Sequence, residues 1–115
     1  MLLAQLVYHE ARGEDLKGQI LVANVVLNRV ASTLRDFADV NTIEAVIFQQ
    51  NQFIPAARAD FRDTMPTERN KRAVNMALSG TDYSQGALWF DSSVDSWASR
   101  NREFVMAHGG HRFWR

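Results

Sequence analysis

The stretch from residue 16 to residue 32, LKGQILVANVVLNRVAS, limits the possible folds more than any other part of the chain. Leu16, Ile20, Ala23, Leu27 and Val30 recur at three- and four-residue spacing, which marks one face of an α-helix. Val22, Val25 and Val26 add apolar surface on other faces. A helix apolar around much of its circumference must be covered on several sides. Residues 15–32 are therefore expected to form a central helix with the other elements packed around it. A chain of 115 residues has room for one such core, and no repeat, low-complexity segment or linker interrupts it. A single domain over residues 1–115 is expected.

Leu2, Leu3, Leu6 and Val7 predict a short helix over residues 2–11 that ends near Gly13. Residues 33–41 read as a connection, and Asn41 with Glu44 has the spacing of a capping box opening the helix TIEAVIFQ. Residues 50–66, QNQFIPAARADFRDTMP, lack periodicity and contain both prolines. A loop of that length in a small domain is commonly functional. Thr67 can cap TERNKRAVNMALS, with Ala73, Val74, Ala77 and Leu78 inward and Gly80 as its stop. Beyond Gly80, the segments GALWFD, REFVMAH and HRFWR are short, aromatic or β-branched, and separated by turn residues. They predict three strands in a small antiparallel sheet. Helices followed by a sheet make the fold class α+β.

Thirteen basic residues balance thirteen acidic ones, so electrostatics give no reason to expect nucleic acid or an anionic membrane as partner. The chain has no cysteine, which excludes disulfides and thiolate metal sites. No apolar run approaches the roughly 18 residues of a membrane span. MLLAQLVYHE lacks the basic start of a signal peptide. A monomer is expected.

The chemistry is concentrated in YHEARGE, residues 8–14. Glu10 falls in the last turn of the first helix, where the negative end of the helix dipole disfavours an ionised carboxylate. Desolvated by Leu6 and Val7, it would keep its proton near neutrality, as a general acid must. The alternative is a helix-end glutamate paired with Arg12 or another arginine. Glu14 lies beyond Gly13 and, with Asp15, reads first as negative charge at the start of the central helix. His9, His108 and His111 are the histidines. HGGH has the spacing of some metal pairs, but its glycines suggest a turn and no third ligand is specified. No metal and no cofactor are expected. Trp89, Phe90, Trp97, Phe113 and Trp114 crowd the last third, with Phe53 in the long loop. Such rings stack on sugars or fill a core. Phe90 and Phe113 are expected in the core, while both readings stay open for Trp89 and Trp97.

Taken together, YHEARGE, GQILVANVVLNRV, VIFQQNQF, ALSG, GALWF, SWASR and HGGHRFWR resemble, in order and over essentially the whole chain, the SleB/CwlJ family of cell-wall hydrolases. The resemblance implies a domain shaped like lytic transglycosylases and lysozymes. It places the family's catalytic glutamate on Glu10, with Tyr8 and Glu14 in support. Substrate-binding positions fall on Gln52, Phe53, Trp89, Trp97, Ser99, Arg100 and His111. His9, Trp89, Asp91 and Gly110 depart from the residues usual in the family.

The resemblance further implies cleavage of peptidoglycan glycan strands between N-acetylmuramic acid and N-acetylglucosamine, by a lytic transglycosylase that needs one glutamate. Alternatives are a hydrolytic muramidase, a metal-dependent amidase built on His9, His108 and His111, and a glycan-binding module without catalysis. Delivery to the wall is left open among export, spore association and a phage origin.

Overall fold

The computed structural model describes all residues from Met1 to Arg115. Its helices are α1 (Leu2–Ala11), α2 (Leu16–Ala31), α3 (Ile43–Ile47), α4 (Glu68–Leu78) and α5 (Trp97–Asn101). Its strands are β1 (Trp89–Asp91), β2 (Phe104–His108) and β3 (His111–Trp114). Short 3-10 turns at Arg35–Phe37, Ile54–Ala57 and Phe61–Asp63 fill the connections.

The central helix is α2. Asp15 caps it, its carboxylate accepting the Gly18 N–H at 2.8 Å. Every residue from Gly18 to Val26 is buried, as a helix apolar on all sides requires. On one side Ile20, Val22, Ala23 and Val26 meet α1, α3 and α4 through residues such as Leu6, Val7, Ile47 and Val74. On the other, Leu21 and Val25 meet Ala87 and Phe113 at the sheet. Each such aliphatic side chain contributes about 1.5–3 kcal/mol by leaving water.

The polar residues of α2 are paired with loop backbone. Asn24 donates to the Thr81 carbonyl at 2.9 Å and accepts from the Tyr83 N–H at 3.1 Å. Asn28 donates to the Ala87 carbonyl and Arg29 to that of Leu88. Buried polar groups are tolerated when bonded in this way, and these bonds lay the chain leading into β1 along α2.

The sheet is antiparallel with order β1-β3-β2. Trp89 stands opposite Trp114 and Phe90 opposite Phe113. Alternation along the strands sends Phe90, His111 and Phe113 to one face, where their rings meet. Trp89 and Trp114 go to the other, covered by Phe37 and Ala98.

Several expectations are corrected. The cap of α3 is Thr42, which accepts from the Ala45 N–H, and not Asn41. Glu44 turns outward to Arg62 at 3.3 Å, and the helix stops at Ile47. Leu78, expected inward, is 56% exposed because α4 ends there. Between the first and second strands, where only turn residues were expected, Trp97–Asn101 forms α5. The turn after α1 does not depend on Gly13, which has no positive φ and around which a Cβ would meet nothing. Thr67 does cap α4, in a reciprocal box with Asn70, and Gly80 ends it with φ of +108°.

The long loop is clasped to α1. Gln5 donates to the carbonyls of Arg62 and Thr64, and His9 Nε2 lies 2.7 Å from Thr64 Oγ1. No helix is long and apolar enough to cross a membrane.

Candidate active site

The end of α1, the long loop and the edge of the sheet enclose a cleft of about 370 Å³. Glu10 and His111 lie in it, between Gln52, Ile54 and Pro55 on one side and Phe90, Asp91 and Ser92 on the other. Three residues singled out from the sequence, Glu10, Gln52 and His111, are thereby brought together from far-apart positions.

Glu10 is half-buried, and loss of water pushes its carboxyl above the ordinary glutamate range. It forms no ion pair with Arg12; that guanidinium lies over the Tyr8 ring, 4.9 Å from its centroid. The helix-end ion pair weighed from the sequence is therefore not made. A carboxyl that is desolvated and lacks a cation keeps its proton to higher pH, which suits a proton donor.

Gln52 accepts from Arg29 Nη1 at 3.1 Å through its carbonyl oxygen, which leaves its amide donors for the cleft. Arg29 is buried and stacked over Phe37 and Phe53 at 4.9 and 5.0 Å. Phe53 stands behind the wall, buried and stacked on Phe90 at 6.2 Å, so it supports the cleft without lining it.

Burial pushes the His111 imidazole below its ordinary range, against the pull of the Glu14 and Asp91 charges and the Glu10 backbone carbonyl. Its ring meets Phe90 edge-on at 5.1 Å. Glu14 does not point into the cleft. Its carboxylate accepts the Gly110 N–H in the β2–β3 turn, at 3.2 Å.

The remaining expected positions lie outside the cleft. Trp89 is buried against Phe37, and Trp97 is 47% exposed beside it, with Arg102 stacked over both rings. Ser99 closes the capping box of α5 with Ser96, and Arg100 pairs with Asp95. Tyr8 packs edge-on against His9.

Asp91, noted from the sequence only as a departure from the family, also lines the cleft. One oxygen accepts from Ser96 Oγ at 2.7 Å and the other from the Ser93 N–H at 3.2 Å. It thereby joins the cleft to α5. Its place at a strand end before a Ser-rich turn was the available signal. The three histidines do not converge: His9 goes to Thr64, His108 to Asp15, and His111 to the cleft. No three His, Asp or Glu side chains form a metal-binding group, which leaves the amidase reading without a ligand set.

Residues 13–114 match the pattern of the family described as Cell Wall Hydrolase. The chain belongs to this cell wall hydrolase family. It is similar to the spore cortex-lytic enzyme of Halalkalibacterium halodurans, with 41% identity over 97% of this chain and 33% of that protein. It is also 34% identical to the cell wall hydrolase CwlJ of the same organism, over 77% of this chain and 64% of that one. The chain thus spans about a third of the length of the spore cortex-lytic relatives it matches. Among solved structures it is similar to the catalytic domain of the germination-specific lytic transglycosylase SleB from Bacillus anthracis. The TM-score is 0.85 at 34% identity, covering 99% of this chain and 91% of that one. The helices around α2 and the three-stranded sheet are the architecture of that catalytic domain, and the chain belongs to the SleB/CwlJ type of cell wall hydrolase. The family match begins three residues after Glu10 and does not extend to that residue.

Proposed function

We propose that the chain cleaves peptidoglycan glycan strands between N-acetylmuramic acid and N-acetylglucosamine as a lytic transglycosylase, with Glu10 as acid and then base. The observation that carries this reading is the Glu10 carboxyl, desolvated in the cleft and lacking a paired cation. Protonated Glu10 gives its proton to the glycosidic oxygen, the bond from muramic C1 to that oxygen breaks, and N-acetylglucosamine leaves with a free 4-hydroxyl. The muramic 6-hydroxyl then attacks C1 and its proton passes to the Glu10 carboxylate. The acid is regenerated, and the product carries a 1,6-anhydro ring. The uncommitted amide donors of Gln52 and the ring of His111 are suited to holding sugar hydroxyls beside Glu10.

One observation favours a second reading. Asp91 places another carboxyl group in the cleft, and hydrolysis by a muramidase uses two. Asp91 already accepts bonds from Ser93 and Ser96 at its two oxygens, which ranks it as an anchor for the 92–96 loop ahead of a nucleophile. Mass spectrometry of muropeptides released from purified peptidoglycan separates the readings. Anhydromuramyl ends support the transglycosylase, reducing muramyl ends the muramidase, and newly freed peptide amines would remove both.

A further inference from the structure

Glu14 is enclosed by glycines drawn from two distant parts of the chain. A Cβ built onto Gly109 would lie 1.8 Å from Glu14 Oε1, one on Gly110 3.2 Å from Oε2, and one on Gly18 2.8 Å from Glu14 Cβ. Gly109 also holds φ at +57°, a left-handed conformation that glycine adopts without strain. The Gly110 N–H donates to both carboxylate oxygens, at 3.2 and 3.3 Å. Beside it, Asp15 Oδ1 lies 2.8 Å from His108 Nε2. Two neighbouring acids at the head of α2 therefore grip both sides of the β2–β3 turn. The residue that leaves this turn is His111, which lines the cleft with Glu10.

We propose that Glu14 is a positioning residue for the cleavage reaction: seated among Gly18, Gly109 and Gly110, its carboxylate fixes the β2–β3 turn so that His111 is held in the cleft beside Glu10. The proposal rests on the reading of Glu10 as proton donor. Glu14 is not among the residues that line the cleft, so it acts through His111. The groups facing His111 are the Glu10 backbone carbonyl from α1, Glu14 from the head of α2, Asp91 and the Phe90 ring from β1, and the Phe113 ring from β3. Of these, the charges of Glu14 and Asp91 hold the imidazole up against the effect of burial.

The test separates the charge from the hydrogen bond. Glu14→Gln keeps an acceptor for the Gly110 N–H and loses the charge, while Glu14→Ala loses both. NMR titration of the His111 ring and observation of the Gly110 amide in the full chain do not depend on what Glu10 does. The His111 midpoint is expected to fall further in both variants, and the Gly110 amide resonance to move most in Glu14→Ala. The loss of a hydrogen bond to a charged group predicts about a tenfold fall in kcat/KM for Glu14→Ala. That fall should nearly vanish when His111→Ala is already present. Unmoved His111 and Gly110 signals in folded Glu14→Gln, or an equal loss with and without His111, would overturn the proposal. Should Glu14→Ala unfold, the Glu14→Gln titration and the kcat/KM of Glu14→Gln in the two backgrounds decide. Full activity of Glu10→Gln overturns the reading of Glu10, whereas an inactive Glu10→Gln with unmoved His111 and Gly110 signals in Glu14→Gln overturns the positioning role of Glu14 alone.

Discussion

His108 Nε2 lies 2.8 Å from Asp15 Oδ1, a contact that joins the end of β2 to the cap of α2 across 93 residues of sequence. The hydrogen bonds from His108 and from the Gly18 N–H hold the Asp15 carboxyl below its ordinary range. A carboxyl depressed in the folded state contributes stability above its unfolded pKa and loses it as pH falls through the folded one. Asp15→Asn should therefore lower stability at neutral pH, and the difference from wild type should shrink as the pH drops below the ordinary aspartate value of 3.8. Urea unfolding of both proteins at neutral and acid pH measures this. A difference that grows on acidification would contradict it.

Asp91 separates the two chemical readings. Asp91→Asn preserves size and an acceptor for the 92–96 loop while removing the carboxylate. On the transglycosylase account its kcat/KM should stay within about tenfold of wild type, the scale of one charged hydrogen bond. A loss of roughly 10²–10⁴-fold, as for a general base, would place Asp91 in the chemistry.

Arg29 is a buried cation serving the cleft from behind. Burial pulls its guanidinium down to about 10, which still leaves it charged at neutral pH. It is bonded to the Leu88 carbonyl at 2.7 Å and to Gln52. Arg29→Ala removes the packing on Phe37 and Phe53 and strands that carbonyl. It should cost about 3 kcal/mol, read from urea denaturation. Arg29→Lys should recover only part of this, because an ammonium lacks the planar fork.

Glu10 links stability to function with the opposite sign from Asp15. Its carboxyl is raised by burial, so folding favours the neutral form, and stability is lost as pH rises from the ordinary value of 4.5 through the folded pKa. Glu10→Gln should raise the melting temperature at neutral pH, with a gain that disappears in acid. Calorimetry at two pH values tests this, and a variant less stable than wild type at neutral pH would contradict the burial argument.

The fold was legible where periodicity was dense. The apolar circumference of α2 and the Gly80 stop of α4 could be read from local pattern, and so could the turn-bounded strands. α5 was not, because its five residues are capped by Ser96 and Ser99 and show no apolar stripe. Thr42 and Asn41 are adjacent residues that both serve as caps, and only the chain geometry chooses between them. For the site, the helix-end position of Glu10 left a paired glutamate open as well, and only the ordered resemblance over the whole chain singled it out. Asp91 offered only a strand-end place before a Ser-rich turn, and its presence in the cleft depends on where β1 meets the long loop. HGGH was readable as a turn, but its second glycine donates to a carboxylate that sits 96 residues away. Such relationships belong to tertiary structure and leave no local trace.

The most direct test is the turnover of purified peptidoglycan by Glu10→Gln, with folding verified by calorimetry. The account predicts a folded protein whose turnover falls by roughly 10²–10⁴-fold, the scale of general acid–base catalysis. Turnover close to wild type in that folded variant would contradict Glu10 as the proton donor.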